Sequence, residues 1–306
     1  MPPPPLAVFT HEKLHAGVAP ETYLNDPCEY LRLRWSPGKA APGTVVVPIM
    51  FHGIRAAGKA IQEDDSISVT EEQFNFFVHD AKKMGFETIT TEQLSNFLHY
   101  NSYIPPRSMI LIVDDRRPGT VENYFIPMAE ANNWTVTLGW IIGTTSPRLW
   151  RWMEELNDTG YLDVQSHGYL HRYIIEGMDE EIVREEIFAS IPIIEEHFGK
   201  KPIAFIWPGG NFTAPAVAVA HEANFQLAFT AYSRGPLMFN WIPQGEPERE
   251  VGDPLMTLPR FWSTDNTLPL DKSMLIGDAA RQAAEANWSQ EAAYYRTYCH
   301  GSLSRD

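Results

Sequence analysis

The sequence predicts an α/β fold built on a mostly parallel sheet, barrel-like or doubly wound. Three observations carry this. Seven short β-rich apolar runs alternate with about six helix-like segments, the pattern of parallel strands joined by helical crossovers. The helix-like segments open and close on capping signals. Polar residues of reactive kinds gather just after the first, third, fifth and sixth runs.

The elements follow in order. Residues 1–44 carry eight prolines and little periodicity, and are expected to form an irregular, extended arm. "VVVPIMF" (Val45–Phe51) is the first strand. In "TEEQFNFFVHDAKKMG", Thr70 and Gln73 make a capping box and Gly85 sits past the helix end. "FETIT" is a short strand, and Thr90 with Gln93 opens a second capped helix reaching about His99. "MILIV" (Met109–Val113) reads as a fully buried strand, with a helical stretch near Val121–Asn132 after it. "WTVTLGWII" (Trp134–Ile142) is a strand. The next helix has Ser146 as N-cap, Pro147 in its first turn and Gly160 beyond its end. "YLDVQS" is a strand. "DEEIVREEIFASIPIIEEHFG" is a long amphipathic helix with a kink expected at Pro192. "IAFIW" and "FQLAFTA" are strands flanking the helix "APAVAVAHEA". The pattern weakens after about Met256 until a terminal helix in "DAARQAAEANWSQEAAYYRTY". This divides the chain into an arm (1–44), an α/β domain (45–270) and a helical extension (271–306).

Composition narrows the partners. The formal charge of −15 argues against nucleic acid, which needs a basic stripe, and against an anionic membrane surface. No window approaches the length of apolar sequence that a transmembrane helix needs. "MPPPPLAVF" lacks the basic and apolar regions of a signal peptide and looks like the stub of a proline-rich linker. The expectation is an extracytoplasmic protein, secreted or surface-tethered, whose signal segment is absent from this sequence, with a cytoplasmic protein as the alternative. Cys28 and Cys299, the two cysteines, either tie the arm to the C-terminal segment in an oxidising compartment or remain separate thiols.

The residues just after the strands carry the chemistry. His52 follows the first, Asp114 and Asp115 the third, His167 and His171 the fifth, and Pro208–Gly210 the sixth. In a (β/α) barrel these ends share one face, where active sites are built. In "SHGYLH" a helical turn would place His167 and His171 on one side. Zincins use this spacing with Glu beside the first His; Gly168 stands there, so a base must come from elsewhere. Two His and one Asp make an open divalent-metal site. One aspartate then serves the ion, and the other is free to act as a base on water.

These elements resemble the polysaccharide deacetylases of carbohydrate esterase family 4, the NodB homology domain. The resemblance runs from about Val45 to Thr264 through "VPIMFHGI", "MILIVDD", "DVQSHGYLH", "FIWPGGNF" and "FQLAFTA". "FH" (Phe51–His52) is closest in style to the poly-N-acetylglucosamine deacetylase group, which begins with "YH". The resemblance implies a distorted (β/α) barrel of about seven parallel strands with a C-terminal helix. It also implies a catalytic domain over 45–270 that hydrolyses acetyl groups, N-acetyl favoured, from an N-acetylglucosamine-containing polysaccharide. Asp114 matches the catalytic base, and Asp115, His167 and His171 the metal ligands, for Zn2+ or, alternatively, Co2+ or Ni2+. His52 is the expected general acid, since no late-chain histidine stands in a leucine-rich strand. Gly209 is expected to present an oxyanion-binding amide, beside Gly210.

The sequence also departs from the family. Arg116 stands where relatives keep Gly, which implies a different turn or strain there, and Ile206 where many keep an Arg that orients the base. Arg116 or Arg117 is expected to supply that charge near Asp114, and Arg260 in "LPRF" to orient site carboxylates. One of Trp207, Phe212, Trp241 and Trp262 is expected to stack on sugar. Two other readings remain: a degenerate member that binds glycan without turnover, and a related C–N hydrolase acting on a small cyclic amide.

Overall fold

The structure, a computed structural model, describes residues 3–62 and 65–304; the first two residues of the arm and the last two of the extension lie outside it. Eight parallel strands form the main sheet: β1 (Val45–Phe51), β2 (Glu87–Thr88), β3 (Arg107–Asp114), β4 (Val136–Trp140), β5 (Leu162–Ser166), β6 (Ala204–Ile206), β7 (Leu227–Phe229) and β8 (Phe261–Trp262). Seven of them follow a curled, half-barrel path in the order β7-β6-β5-β4-β3-β1-β8, and β2 pairs with the start of β3. The seven expected strands are all present. The eighth, β8, is two residues long, too short to show a period.

Side-chain alternation sorts each strand into two faces. In β3, Met109, Leu111 and Val113 pack outward with Phe74, Phe77 and Phe125 of the surrounding helices. Ile110 and Ile112 pack inward with Val46, Ile206, Phe229 and Leu258. Continuing the alternation aims Asp114 inward. β1 and β3 pair from Val45↔Arg107 to Phe51↔Val113, so His52 and Asp114 leave the sheet at one height. Outward-facing Phe51 is locked edge-on to Phe74, Phe77 and Phe125 at 5.4–5.9 Å.

The curl is bridged at its open side by the segment leading into β8. Leu258 hydrogen-bonds to the β7 side, its N–H donating to Ala228 O (2.9 Å) and its carbonyl accepting from Thr230 N–H (2.8 Å). Three residues later, Phe261 and Trp262 pair with Ile49 and Met50 of β1. Arg260 lies between these anchors.

The helices hold to the capping logic. Both capping boxes, Thr70/Gln73 and Thr90/Gln93, are closed in both directions, and the Ser146 hydroxyl accepts from Leu149 N–H. The long helix expected over "DEEIVREEIFASIPIIEEHFG" is two helices, Glu180–Phe188 and Ser190–Phe198. The break falls not at Pro192 but at Ala189, three residues before it, just after Phe188, whose carbonyl finds no N–H on the proline and is crowded by its ring.

The arm is more ordered than expected. Ala19–Glu21 pairs antiparallel with Ile242–Gln244. Pro27–Trp35 is a helix capped by the Asp26 side chain. Cys28 and Cys299 form a disulfide with Cα atoms 5.5 Å apart, joining that helix to the end of the helix Leu268–Tyr298. A cavity of about 560 Å3 lies between the arm, Tyr30, Ala40–Thr44 and Ala284, at the strand N-termini and away from the polar strand ends. No helix of the described residues is long and apolar enough to cross a membrane.

The disulfide closes almost the whole chain, so its loss acts mainly on the unfolded ensemble. The Cys28→Ser/Cys299→Ser double variant is expected to lose about 2–4 kcal/mol in urea unfolding. A loss below about 0.5 kcal/mol would show that packing alone holds the arm.

Candidate active site

Asp114 ends β3 and is 2% exposed. A carboxylate cannot stay ionised there without a counter-charge. Arg260 supplies it: Nη1 lies 2.8 Å from Oδ1 and 2.9 Å from Oδ2, and Nε donates to Thr230 O at 2.7 Å. The guanidinium is itself only 1% exposed. Burial alone raises the Asp114 pKa, but Arg260, His167 and His52 outweigh it and hold the carboxyl at about 2. Gly139, paired with Asp114 across β3 and β4, makes room for it: a Cβ there would lie 3.2 Å from Asp114 Oδ1 and 2.8 Å from Ile206.

Asp115 faces a different way. Its backbone is left-handed, φ +71°, a conformation Asp tolerates better than most residues. The strained position expected at Arg116 therefore falls one residue earlier. Asp115 Oδ1 lies 3.8 Å from both His167 Nε2 and His171 Nε2, which are 3.1 Å apart. His167 Nδ1 contacts the Ile206 carbonyl at 2.8 Å; a carbonyl only accepts, so Nδ1 carries the proton and Nε2 keeps its lone pair for the site. Burial pushes both imidazoles below their ordinary pKa. Two imidazole nitrogens and a carboxylate oxygen, all within 4.8 Å of one another, converge on one point, a donor set suited to a divalent ion.

The His167–His171 segment is not a helical turn. Gly168 and His171 both have positive φ, +81° and +62°, and the two rings meet through a looped backbone. Glu186, on the helix Glu180–Phe188, holds that loop. Its carboxylate accepts from Leu170 N–H (3.0 Å to each oxygen) and from Arg172 N–H (3.0 Å), and its carbonyl accepts from Tyr169 N–H (3.0 Å). Nothing in the sequence patterns above singled out Glu186. The available signal was an acid beside Val183, Ile187 and Ser190 on the buried face of its helix.

His52 lies with its ring nearly parallel to Trp262 (13°, centroids 6.1 Å apart) and its Nε2 3.9 Å from Asp114 Oδ2. Its Nδ1 is buried without a hydrogen-bond partner among the described residues. Burial lowers its pKa; Asp114 and Asp115 pull it back up, and Arg260 and Arg117 add to the depression. At neutral pH His52 is an uncharged imidazole, whereas a general acid has to begin protonated.

The remaining candidates sort by geometry. Arg116 turns away from Asp114 and donates to Gly143 O (2.9 Å) and Thr144 Oγ1 (3.1 Å). Arg117 donates to Asp115 Oδ2 at 3.0 Å. Neither supplies the charge beside Asp114; Arg260 does. Trp207 is fully buried on the outward face beside Phe205, and its Nε1–H donates to Met256 O at 2.9 Å, so it cannot stack on a ligand. Trp241 is also buried, its Nε1–H donating to Phe9 O. Of the four aromatic candidates, Trp262 is the one whose ring lies against a site residue, His52; Phe212 packs with Trp207 and Tyr232. The Gly210 N–H is engaged by Trp207 O at 2.8 Å and is not available to a ligand. Gly209 has φ +63°, and a Cβ there would lie 2.9 Å from the ring of Tyr173, which in turn stands edge-on to His171 at 5.6 Å.

Residues 103–228 match the polysaccharide deacetylase family. Among solved structures the chain is similar to the Streptococcus pyogenes deacetylase PplD in complex with acetate (TM-score 0.62, 17% identity, covering 76% of this chain and 99% of that one). It is similar too to IcaB from Ammonifex degensii (TM-score 0.58, 17% identity, 78% and 98%). A third is the de-N-acetylase from Aggregatibacter actinomycetemcomitans (TM-score 0.56, 16% identity, 71% and 94%). At these identities the likeness to the solved structures is one of fold. No curated protein matches the chain.

Removing one partner of a buried pair leaves an uncompensated charge. Arg260→Leu is therefore expected to cost about 3–5 kcal/mol at pH 7. Asp114 has a folded pKa below its ordinary 3.8. Its contribution to wild-type stability is thus present above that value and lost as pH falls towards 2. In the variant the carboxyl neutralises more easily, so the stability gap should narrow between pH 7 and pH 3. Guanidinium unfolding across that range checks this; a gap independent of pH contradicts it.

Proposed function

We propose that this chain, whose residues 103–228 match the polysaccharide deacetylase family, hydrolyses N-acetyl groups from an N-acetylglucosamine-containing glycan. The observation that carries this reading is the pairing of an ionised, Arg-held carboxylate, Asp114, with an adjacent His-His-Asp donor set that does not include it. A glycan-binding module has no use for a spare base beside a metal site. The turn after Asp115 gives the non-catalytic reading no support either, because Asp115 rather than Arg116 adopts the left-handed backbone.

Asp115 Oδ1, His167 Nε2 and His171 Nε2 would hold one divalent ion, Zn2+ being the ion we favour over Co2+ or Ni2+. When bound, it supplies Lewis acidity to the acetyl carbonyl and to the attacking water. The chain's own residues do the rest. Asp114 takes the proton of the water. A carboxyl with a pKa of about 2 gives that proton up readily, and neutral His52, its Nε2 3.9 Å from Oδ2, receives it through one bridging water and delivers it to the departing nitrogen. His52 thus becomes the acid within the turnover rather than starting as one. The Gly209 amide faces the developing oxyanion, and Trp262 and Tyr173 flank the sugar. The disulfide suits an oxidising, extracytoplasmic setting.

Acetate release from chitooligosaccharides, from an acetylated ester and from a small cyclic amide tests the reading. We expect release from the oligosaccharide, at least about 10³-fold loss in Asp114→Asn, and about 10²–10⁴-fold loss in His52→Ala. Bound zinc with no release from any glycan favours a binding protein, and release only from the cyclic amide favours the C–N hydrolase of small substrates.

A further inference from the structure

Two histidines four residues apart meet one point here through a looped backbone rather than through a helical turn. With Gly168 and His171 both at positive φ, the segment has no helical hydrogen bonds of its own. Its amides must be satisfied from outside. Ser166 Oγ takes the Gly168 N–H (3.2 Å). The next three of these bonds end on one residue: Tyr169 N–H on the carbonyl of Glu186, and Leu170 N–H and Arg172 N–H on its carboxylate. Glu186 is fully buried. The neighbouring Glu185 takes the Arg172 guanidinium at 2.6 Å, fixing the far end of the loop to the same helix. Gly168 is required by this arrangement, because a Cβ there would collide with the Glu186 carboxylate and lie 3.2 Å from Pro208. The loop's other side is tied to the strand-end residues Ile142 and Gly143, whose N–H groups donate to Gly168 O (3.3 Å) and Tyr169 O (2.6 Å).

We propose that Glu186 is a positioning residue that pre-forms the ligand loop, holding His171 against His167 and Asp115 before any ion binds and so setting the affinity of the site. The proposal rests on the reading of Asp115, His167 and His171 as metal ligands. A carboxylate is the group suited to the task. It offers acceptors only, so one side chain serves both amides, whereas an amide side chain would turn an N–H towards one of them.

The test compares Glu186→Gln with Glu248→Gln, a matched change at another fully buried carboxylate, which holds Arg234 and the Gly245 N–H away from the loop. Zinc affinity is measured by chelator competition on metal-free protein. Amide hydrogen exchange of residues 167–173 is measured without metal. In the wild type we expect slow exchange at Leu170 and Arg172 before zinc is added. In Glu186→Gln we expect fast exchange there and zinc binding about 10–100-fold weaker. Glu248→Gln should leave zinc binding unchanged even where it lowers stability. Free exchange of these amides in metal-free wild type overturns the proposal, as does unchanged zinc affinity in Glu186→Gln or equal weakening in Glu248→Gln. If Glu186→Gln does not fold, the wild-type exchange decides. If the wild type binds no zinc, the ligand reading fails, while the exchange pattern still judges Glu186.

Discussion

A carboxylate at the closed inner end of a parallel sheet has to find a cation, and the Arg260–Asp114 pair is the contact on which the rest of this site depends. It joins the last segment of the sheet to its central strand across the interior of the curl. The backbone on either side of Arg260 is hydrogen-bonded to opposite sides of the half-barrel, at Leu258 and at Phe261–Trp262. The guanidinium is thereby aimed inward with little freedom. Its grip on both oxygens of Asp114 gives the adjacent aspartates different work: Asp114 is held by protein, and Asp115 is turned by its left-handed backbone towards the two histidines.

Much of this was legible in the sequence. The seven apolar runs and the capping residues located the strands and helices, and the polar residues after the strands pointed to one face. The two-residue alternation reached further than the apolar runs alone suggested. Outward Phe51 and inward His52 follow from it, as do outward Val113 and inward Asp114. The same rule places Trp207 outward, in register with Phe205, and so removes it from any ligand.

What the sequence concealed depends on long-range geometry. β8 is too short to have a period, so the reach of Arg260 over 146 residues to Asp114 could be guessed from a motif but followed from no periodicity. The i,i+4 spacing of His167 and His171 pointed to a helix, yet backbone amides held by Glu186 take the loop elsewhere. Arg116 and Arg117 follow Asp115 directly, and neighbours in sequence were expected to be neighbours in charge. A left-handed residue at Asp115 breaks that expectation, sending Arg116 to the loop after β4 and Arg117 to Asp115.

The arm and the terminal helix belong to a different layer of the design. They cover the strand N-termini, are tied by Cys28–Cys299, and contribute none of the residues gathered at the opposite end. In the proposed site, Arg260 would keep Asp114 from ligating the ion. Anomalous diffraction at the zinc edge from zinc-loaded crystals tests it most directly. The account predicts a single ion on Asp115, His167 and His171, with Asp114 still bound to Arg260 through both oxygens. An ion ligated by Asp114, or an Arg260 released from it, would contradict the account.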